Sequence, residues 1–81
     1  LPVTFVKIDQ SFVTGLCNNE EDGRIVAAVV DLAANLGLRS IAEGVETAEQ
    51  LARLRELGCN QAQGFLVGRP LPAEAVSGAL T

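Results

Sequence analysis

The sequence predicts an α/β fold whose strands run parallel and form part of a larger sheet or barrel. Three observations predict it. Short runs of β-branched and aromatic residues alternate with stretches in which apolar residues recur at helical spacing, in the order strand, helix, strand, helix, strand, helix. The connections are a few residues long, so each helix serves as the crossover that parallel neighbours require. Three strands are too few to close a barrel and would leave two open edges, which folded proteins cover.

The first strand is read over Val3-Thr4-Phe5-Val6-Lys7-Ile8-Asp9, where alternation puts Phe5, Lys7 and Asp9 on one face and Val6 and Ile8 on the other. Gln10-Ser11-Phe12-Val13 follows as a short turn, and Thr14 to Asn19 as a loop. An amphipathic helix is expected from about Glu21 to Asn35. Its apolar positions are Ile25, Val26, Val29, Val30, Leu32, Ala33 and Leu36, and Gly37 lies just past its end. The second strand, Leu38 to Glu43, places Ile41 and Glu43 on one face and Ser40 and Ala42 on the other. Thr47-Ala48-Glu49-Gln50 matches a capping box and opens a helix with Leu51, Leu54 and Leu57 inward, stopping at Gly58. Arg53, Arg55 and Glu56 read as a solvated face. A third strand over Asn60 to Phe65 aligns Gln61, Gln63 and Phe65, and breaks at Gly64 and Gly68. After Arg69-Pro70-Leu71-Pro72 a last helix is expected from about Ala73 to Leu80, with Pro72 suited to its first turn.

Composition narrows the function classes. The chain has 81 residues, a net charge of −4, 48% hydrophobic and 20% charged residues, and no apolar run near the roughly 20 residues that span a bilayer. No membrane contact is expected from this segment. An acidic balance without a Lys/Arg cluster argues against a duplex nucleic-acid partner, and three Phe with no Tyr or Trp give single strands no stacking platform. The absence of Met, with Leu1 first, suggests a fragment or processed piece, and Leu1-Pro2-Val3 lacks the features of a secretory signal. Cys17 and Cys59 have no CxxC or Cys/His company and fit free thiols in a reducing cytosol. With no His, imidazole triads and imidazole-based zinc sites are excluded within the chain. Neither GxGxxG nor GxxxxGK[ST] occurs.

The candidate chemistry centres on Ile41-Ala42-Glu43-Gly44-Val45-Glu46-Thr47, where a strand delivers an acid, turns at a glycine and enters a helix. A carboxylate there can bind a divalent cation or take a proton from water. The plainer alternative makes Glu43 a solvated loop residue and Glu46 a helix N-terminal acid. Lys7 and Asp9 read either as site residues or as a local ion pair with Asp9 capping the following turn. The balance shifts because all three strands end in polar groups: Lys7 and Asp9, then Glu43, then Gln63. In a barrel of parallel strands that end carries the chemistry.

The same residues resemble a known family. Lys7-Ile8-Asp9 with Ser11-Phe12-Val13, Ala42-Glu43-Gly44-Val45-Glu46-Thr47 with Gln50-Leu51, Gly58-Cys59, Gln63-Gly64-Phe65 and Arg69-Pro70 resemble, in order, the C-terminal third of the EAL domain. That family consists of cyclic di-GMP phosphodiesterases. The resemblance implies a modified TIM barrel, with residues 1–81 a partial EAL domain supplying its C-terminal (βα)3 portion, strands six to eight with the helices that follow them, and no complete domain. It further implies that Mg²⁺ or Mn²⁺ activates a water for hydrolysis of cyclic di-GMP to the linear dinucleotide by two-metal chemistry.

By motif, Lys7 would position or polarise that water, Glu43 would be the metal-site acid and orient it, and Gln63 would bond metal-bound water near the phosphate. Asp9 and Glu46 would support them. Asn60 and Gln10 depart from the family pattern, which commonly has an acid and a base there. The Glu-Ala-Leu signature, the Asn and Glu ligands of intervening strands and the Asp-Asp-Phe-Gly-type segment would all precede Leu1.

The implied protein is therefore a cytoplasmic bacterial signalling phosphodiesterase, compatible with membrane anchoring through other domains. Divalent cations want about six oxygen ligands each. Glu43, with help from Gln63 and Asp9, cannot satisfy two, so the chain alone is expected to be inactive. Two rival readings are a degenerate EAL domain that binds cyclic di-GMP or a protein partner without cutting, and a barrel acting on another phosphorylated anion. Exposed Phe5, Ile41 and Phe65 predict self-association of the chain, or a dimer of the parent.

Overall fold

The computed structural model describes residues 3–64 and 71–72. Four strands form one sheet in the order β1-β2-β3-β4: β1 (Phe5–Ile8), β2 (Arg39–Ala42), β3 (Gln61–Ala62) and β4 (Leu71–Pro72). Three helices join the first three strands: α1 (Gln10–Gly15), α2 (Glu20–Asn35) and α3 (Ala48–Leu57). β1 pairs parallel with β2 in the register Phe5↔Arg39 to Ile8↔Ala42, and β2 pairs parallel with β3 as Ile41↔Gln61 and Ala42↔Ala62. The expected α/β alternation with parallel strands is present.

Alternation along the strands divides the sheet into two faces. Ile8, Ala42 and Ala62 turn towards the helices and join Val13, Leu16, Val26, Val30, Leu51 and Leu54 in one buried cluster. Lys7, Ile41 and Gln61 occupy neighbouring positions on the opposite face, and the next residue on that face beyond β2 is Glu43. Fully burying an aliphatic side chain contributes roughly 1.5–3 kcal/mol, so Leu51 and Leu54, both fully buried, anchor α3.

Helix ends follow local chemistry. Asn19 caps α2 by accepting from the Asp22 amide, and Glu20, Glu21 and Asp22 fill the first turn, where acids suit the helix dipole. Thr47 caps α3 in a complete capping box with Gln50, and Gly58 closes it.

Five expectations need correction. The segment after β1 is a helix, α1, because the Asp9 carboxylate accepts from the Ser11 amide and nucleates the first turn. The third strand pairs over two residues, since the backbone turns off at Gly64 (φ 151). Leu71–Pro72, expected as a connection and a helix start, is a strand pairing antiparallel with β3, at a sheet edge where proline is tolerated.

Leu32 and Leu36, assigned to the inward face of the long helix, are 59% and 63% exposed, because only the stripe through Val26, Val30 and Ala33 meets the sheet. Ile41, expected to be exposed, is 7% exposed and stands between Lys7 and Gln61 in the sheet. Phe65 and the helix expected from about Ala73 to Leu80 lie outside the described residues.

Candidate active site

The tips of the parallel strands are brought together by backbone bonds that continue past the strands themselves. The Glu43 amide donates to the Ile8 carbonyl at 3.1 Å, the Gln63 amide to the Ala42 carbonyl at 2.9 Å, and the Val45 amide to the Gln63 carbonyl at 2.9 Å. Asp9, Glu43 and Gln63 are thereby one residue beyond the paired rows, side by side along one end of the sheet. The three segments that the sequence singled out converge at this end.

Glu43 and Gln63 meet directly. The Gln63 amide nitrogen donates to Glu43 Oε1 at 3.4 Å, and both side chains are half-buried. Lys7 lies one position earlier on the same face, exposed. Two glycines make the approach possible. A Cβ at Gly64 would fall 2.3 Å from the Val45 nitrogen and 2.4 Å from its oxygen, so the β3 tip rests on the loop after Glu43. Gly44, with φ 74, turns the chain immediately after the acid, and the Gln10 side chain covers it: an added Cβ would lie 2.3 Å from Gln10 Cγ. The place of Gln10 over that turn had no signal in the sequence.

Asp9 and Glu46 play different parts. The Asp9 carboxylate accepts from the Ser11 amide at 3.0 Å and the Ser11 hydroxyl at 2.7 Å. These bonds, the hydroxyl's first, hold its carboxyl below the usual aspartate value. The capping role considered for Asp9 is thus formed. The alternative ion pair with Lys7 is not among those of the described residues, which join Arg24 to Glu20 and Arg53 to Glu56. Glu46 is exposed, and its backbone amide donates at 2.8 Å to the Gln50 side-chain oxygen, which also accepts from Thr47 at 3.2 Å. Gln50 is buried and fixes the loop that carries Glu43 and Glu46 into α3.

For a divalent cation the strand tips offer the Glu43 carboxylate with the Gln63 carboxamide beside it, while the neighbouring Asp9 carboxylate is engaged by Ser11. No group of three or more acidic or thiol side chains capable of holding a metal occurs among the described residues. The arrangement fits one corner of an oxygen-ligand site. Cys17 is exposed and Cys59 buried, and burial raises both thiols above their ordinary value. Neither stands at the strand tips.

Comparison with known proteins gives one answer. A family model described as EAL domain matches residues 1–70. Over 74 residues the chain is 50% identical to the bifunctional diguanylate cyclase/cyclic di-GMP phosphodiesterase MucR of Pseudomonas aeruginosa, covering 91% of this chain and 11% of that protein. Over 76 residues it is 43% identical to the cyclic di-GMP phosphodiesterase NbdA of the same organism, covering 94% of this chain and 10% of that one.

Among solved structures, the MucR phosphodiesterase in complex with c-di-GMP superimposes with a TM-score of 0.78 at 49% identity, over 94% of this chain and 31% of that one. The chain thus spans about a tenth of the length of these curated relatives. Its fold is the C-terminal portion of a TIM-like (β/α)8 barrel.

Proposed function

The chain belongs to the EAL domain family, and from that premise we propose that it supplies the last part, strands six to eight, of a domain that hydrolyses cyclic di-GMP to the linear dinucleotide. The observation that carries the proposal is the meeting of Glu43 and Gln63 at adjacent strand tips, 3.4 Å apart, with Lys7 on the same face. A half-buried carboxylate held by a carboxamide, with a lysine on the same face of the sheet, is suited to orient water against a phosphodiester.

In this reading Glu43 accepts a hydrogen bond from the attacking water and takes its proton as the new P–O bond forms. Lys7 positions and polarises that water, and Gln63 holds the Glu43 carboxylate in place while its carboxamide bonds ordered water. One P–O ester bond breaks, the departing ribose oxygen takes a proton from solvent to end as a hydroxyl, and Glu43 returns the proton it took to solvent. Asp9 and Glu46 support from the flanks, Asp9 by fixing the start of α1 and Glu46 by lying on the Gln50-anchored loop. Glu43 is the ligand this chain would give to Mg²⁺ or Mn²⁺, which when bound lowers the water's pKa and neutralises phosphate charge. The remaining ligands would come from other parts of the barrel, so the 81 residues alone are inactive. No helix among the described residues is long and apolar enough to cross a membrane, and we place the site in the cytoplasm, where the free thiols stay reduced.

The test is cyclic di-GMP hydrolysis with Mg²⁺ and Mn²⁺ by this chain and by a form extended upstream by the roughly 150–180 residues a TIM barrel still requires. The extended form should cut, the short chain should not, and Glu43→Gln in the extended form should lower kcat by about 10²–10⁴-fold. Full turnover by Glu43→Gln would refute the role of Glu43. An extended form that binds cyclic di-GMP without cutting would move the family member to the non-catalytic reading.

A further inference from the structure

Glu43 and Gln63 belong to strands whose pairing is very short. β2 and β3 share two paired positions, Ile41↔Gln61 and Ala42↔Ala62. A slip of one residue would exchange the faces of β3 and bring Ala62 or Gly64 to the place of Gln63, because side chains alternate with period two. Two paired positions are little to hold a register, and ordinary side chains would leave it weakly specified.

The position immediately before the pairing carries an additional set of bonds. The Ser40 amide donates to Asn60 Oδ1 at 2.9 Å, the Ser40 hydroxyl donates to the same oxygen at 3.4 Å, and the Asn60 amide donates to Ser40 Oγ at 3.3 Å. Ser40 is almost completely buried, so its amide and hydroxyl depend on protein partners. The Cys59 thiol adds contacts to the Ser40 carbonyl at 3.8 Å and the Gln61 carbonyl at 3.3 Å. These bonds recognise the identity of Asn60 opposite Ser40. A displaced β3 would put Cys59 or Gln61 there, neither with an oxygen in the place of Oδ1. Three residues further along each strand are Glu43 and Gln63.

We propose that Ser40 and Asn60 form a register clamp at the base of β2 and β3 that places the Gln63 carboxamide against the Glu43 carboxylate at their tips. Both are positioning residues: they act through the strands and touch no substrate. The clamp uses the Asn60 side chain as an acceptor alone, through Oδ1, while its donor is the Asn60 backbone N–H, so an aspartate, which offers the same oxygen, preserves it. The clamp's effect on catalysis rests on the phosphodiesterase reading, whereas its effect on register does not.

The experiment therefore has two readouts on the full-length protein that contains this chain, for wild type, Asn60→Leu, Asn60→Asp and Ser40→Ala. Backbone amide exchange reports register without any substrate. In Asn60→Leu the Val45 and Gln63 amides, which bond across the strand tips, should exchange at least about tenfold faster, as loss of an acceptor for a buried donor implies. The α2 amides of Val26 and Val30 should keep their protection, which separates local slippage from general unfolding. Asn60→Asp should stay within about threefold of wild type, and Ser40→Ala should fall between.

In turnover, Asn60→Leu should lower kcat at least about tenfold while KM stays within threefold, with Asn60→Asp rescuing it. Unchanged protection at Val45 and Gln63 in Asn60→Leu overturns the clamp, whether or not the protein cuts. So does equal loss of protection in α2, which would make Asn60 a stability residue. Wild-type protein that never cuts, with the exchange pattern as expected, refutes the phosphodiesterase reading and leaves the clamp standing.

Discussion

At Gly64 an added Cβ would sit 2.3 Å from the Val45 nitrogen, 2.4 Å from the Val45 oxygen and 2.9 Å from the Gly44 carbonyl carbon. All three are backbone atoms, so no rotamer change relieves the clash. Gly64→Ala should therefore destabilise the fold by roughly 1–3 kcal/mol or more and pull Gln63 from Glu43. Urea unfolding checks the first part, and a loss below about 0.5 kcal/mol would show that the strand tip gives way freely. The sequence marked Gly64 as a strand break. It did not reveal that the break rests on another strand's loop, because that contact joins residues about twenty positions apart. Lys7, Glu43 and Gln63 were legible as candidates because each is a polar group at or near the end of a β-type run. Asp9 was legible as a cap, and both the amide and the hydroxyl of Ser11 donate to its Oδ2.

Among the elements, α3 shows how local chemistry supports the loop that bears the site. Thr47 Oγ1 accepts from the Gln50 amide at 3.0 Å, and Gln50 Oε1 accepts from the amides of Glu46 and Thr47. Thr47→Ala should cost about 1 kcal/mol of stability. Gln50→Leu should cost about 1–3 kcal/mol, because it strips an acceptor from a part-buried pair of amides. Thermal melts of the two variants check the order, and a Gln50→Leu protein as stable as wild type would show that the amides find water instead. This capping box was readable because its spacing lies within four residues. β4 was not: two residues carry no period, and Pro72 suggested a helix start until pairing with Gln61 placed it on an edge. The loop before α2 likewise shortened because α1 is nucleated by one carboxylate.

Across the whole molecule, apolar surface stays in contact with solvent. Phe5 is 40% exposed at the free edge of β1, and Leu32 and Leu36 stand out from the end of α2. Among the described residues β1 and β4 are the two outer strands of the sheet, and β1, the longer, offers an edge to a further strand. The isolated chain should therefore self-associate at high concentration, and the upstream-extended form should do so less. Light scattering across a dilution series tests this. A monodisperse monomer of the short chain at the highest concentration would mean that these side chains are covered by other means.

The sequence by itself determined the alternation of strands and helices, the parallel order, the capping box that opens α3 and the identity of the polar groups at the strand ends. These follow from periodicity and from bonds between near neighbours, which any conformation of the segment must satisfy. Only the tertiary structure decided that Gln63 reaches Glu43, that Ile41 is buried while Leu32 and Leu36 are not, and that Asn60 grips Ser40. Each of these depends on the register of one strand against another, and register is fixed by contacts between residues far apart in the chain.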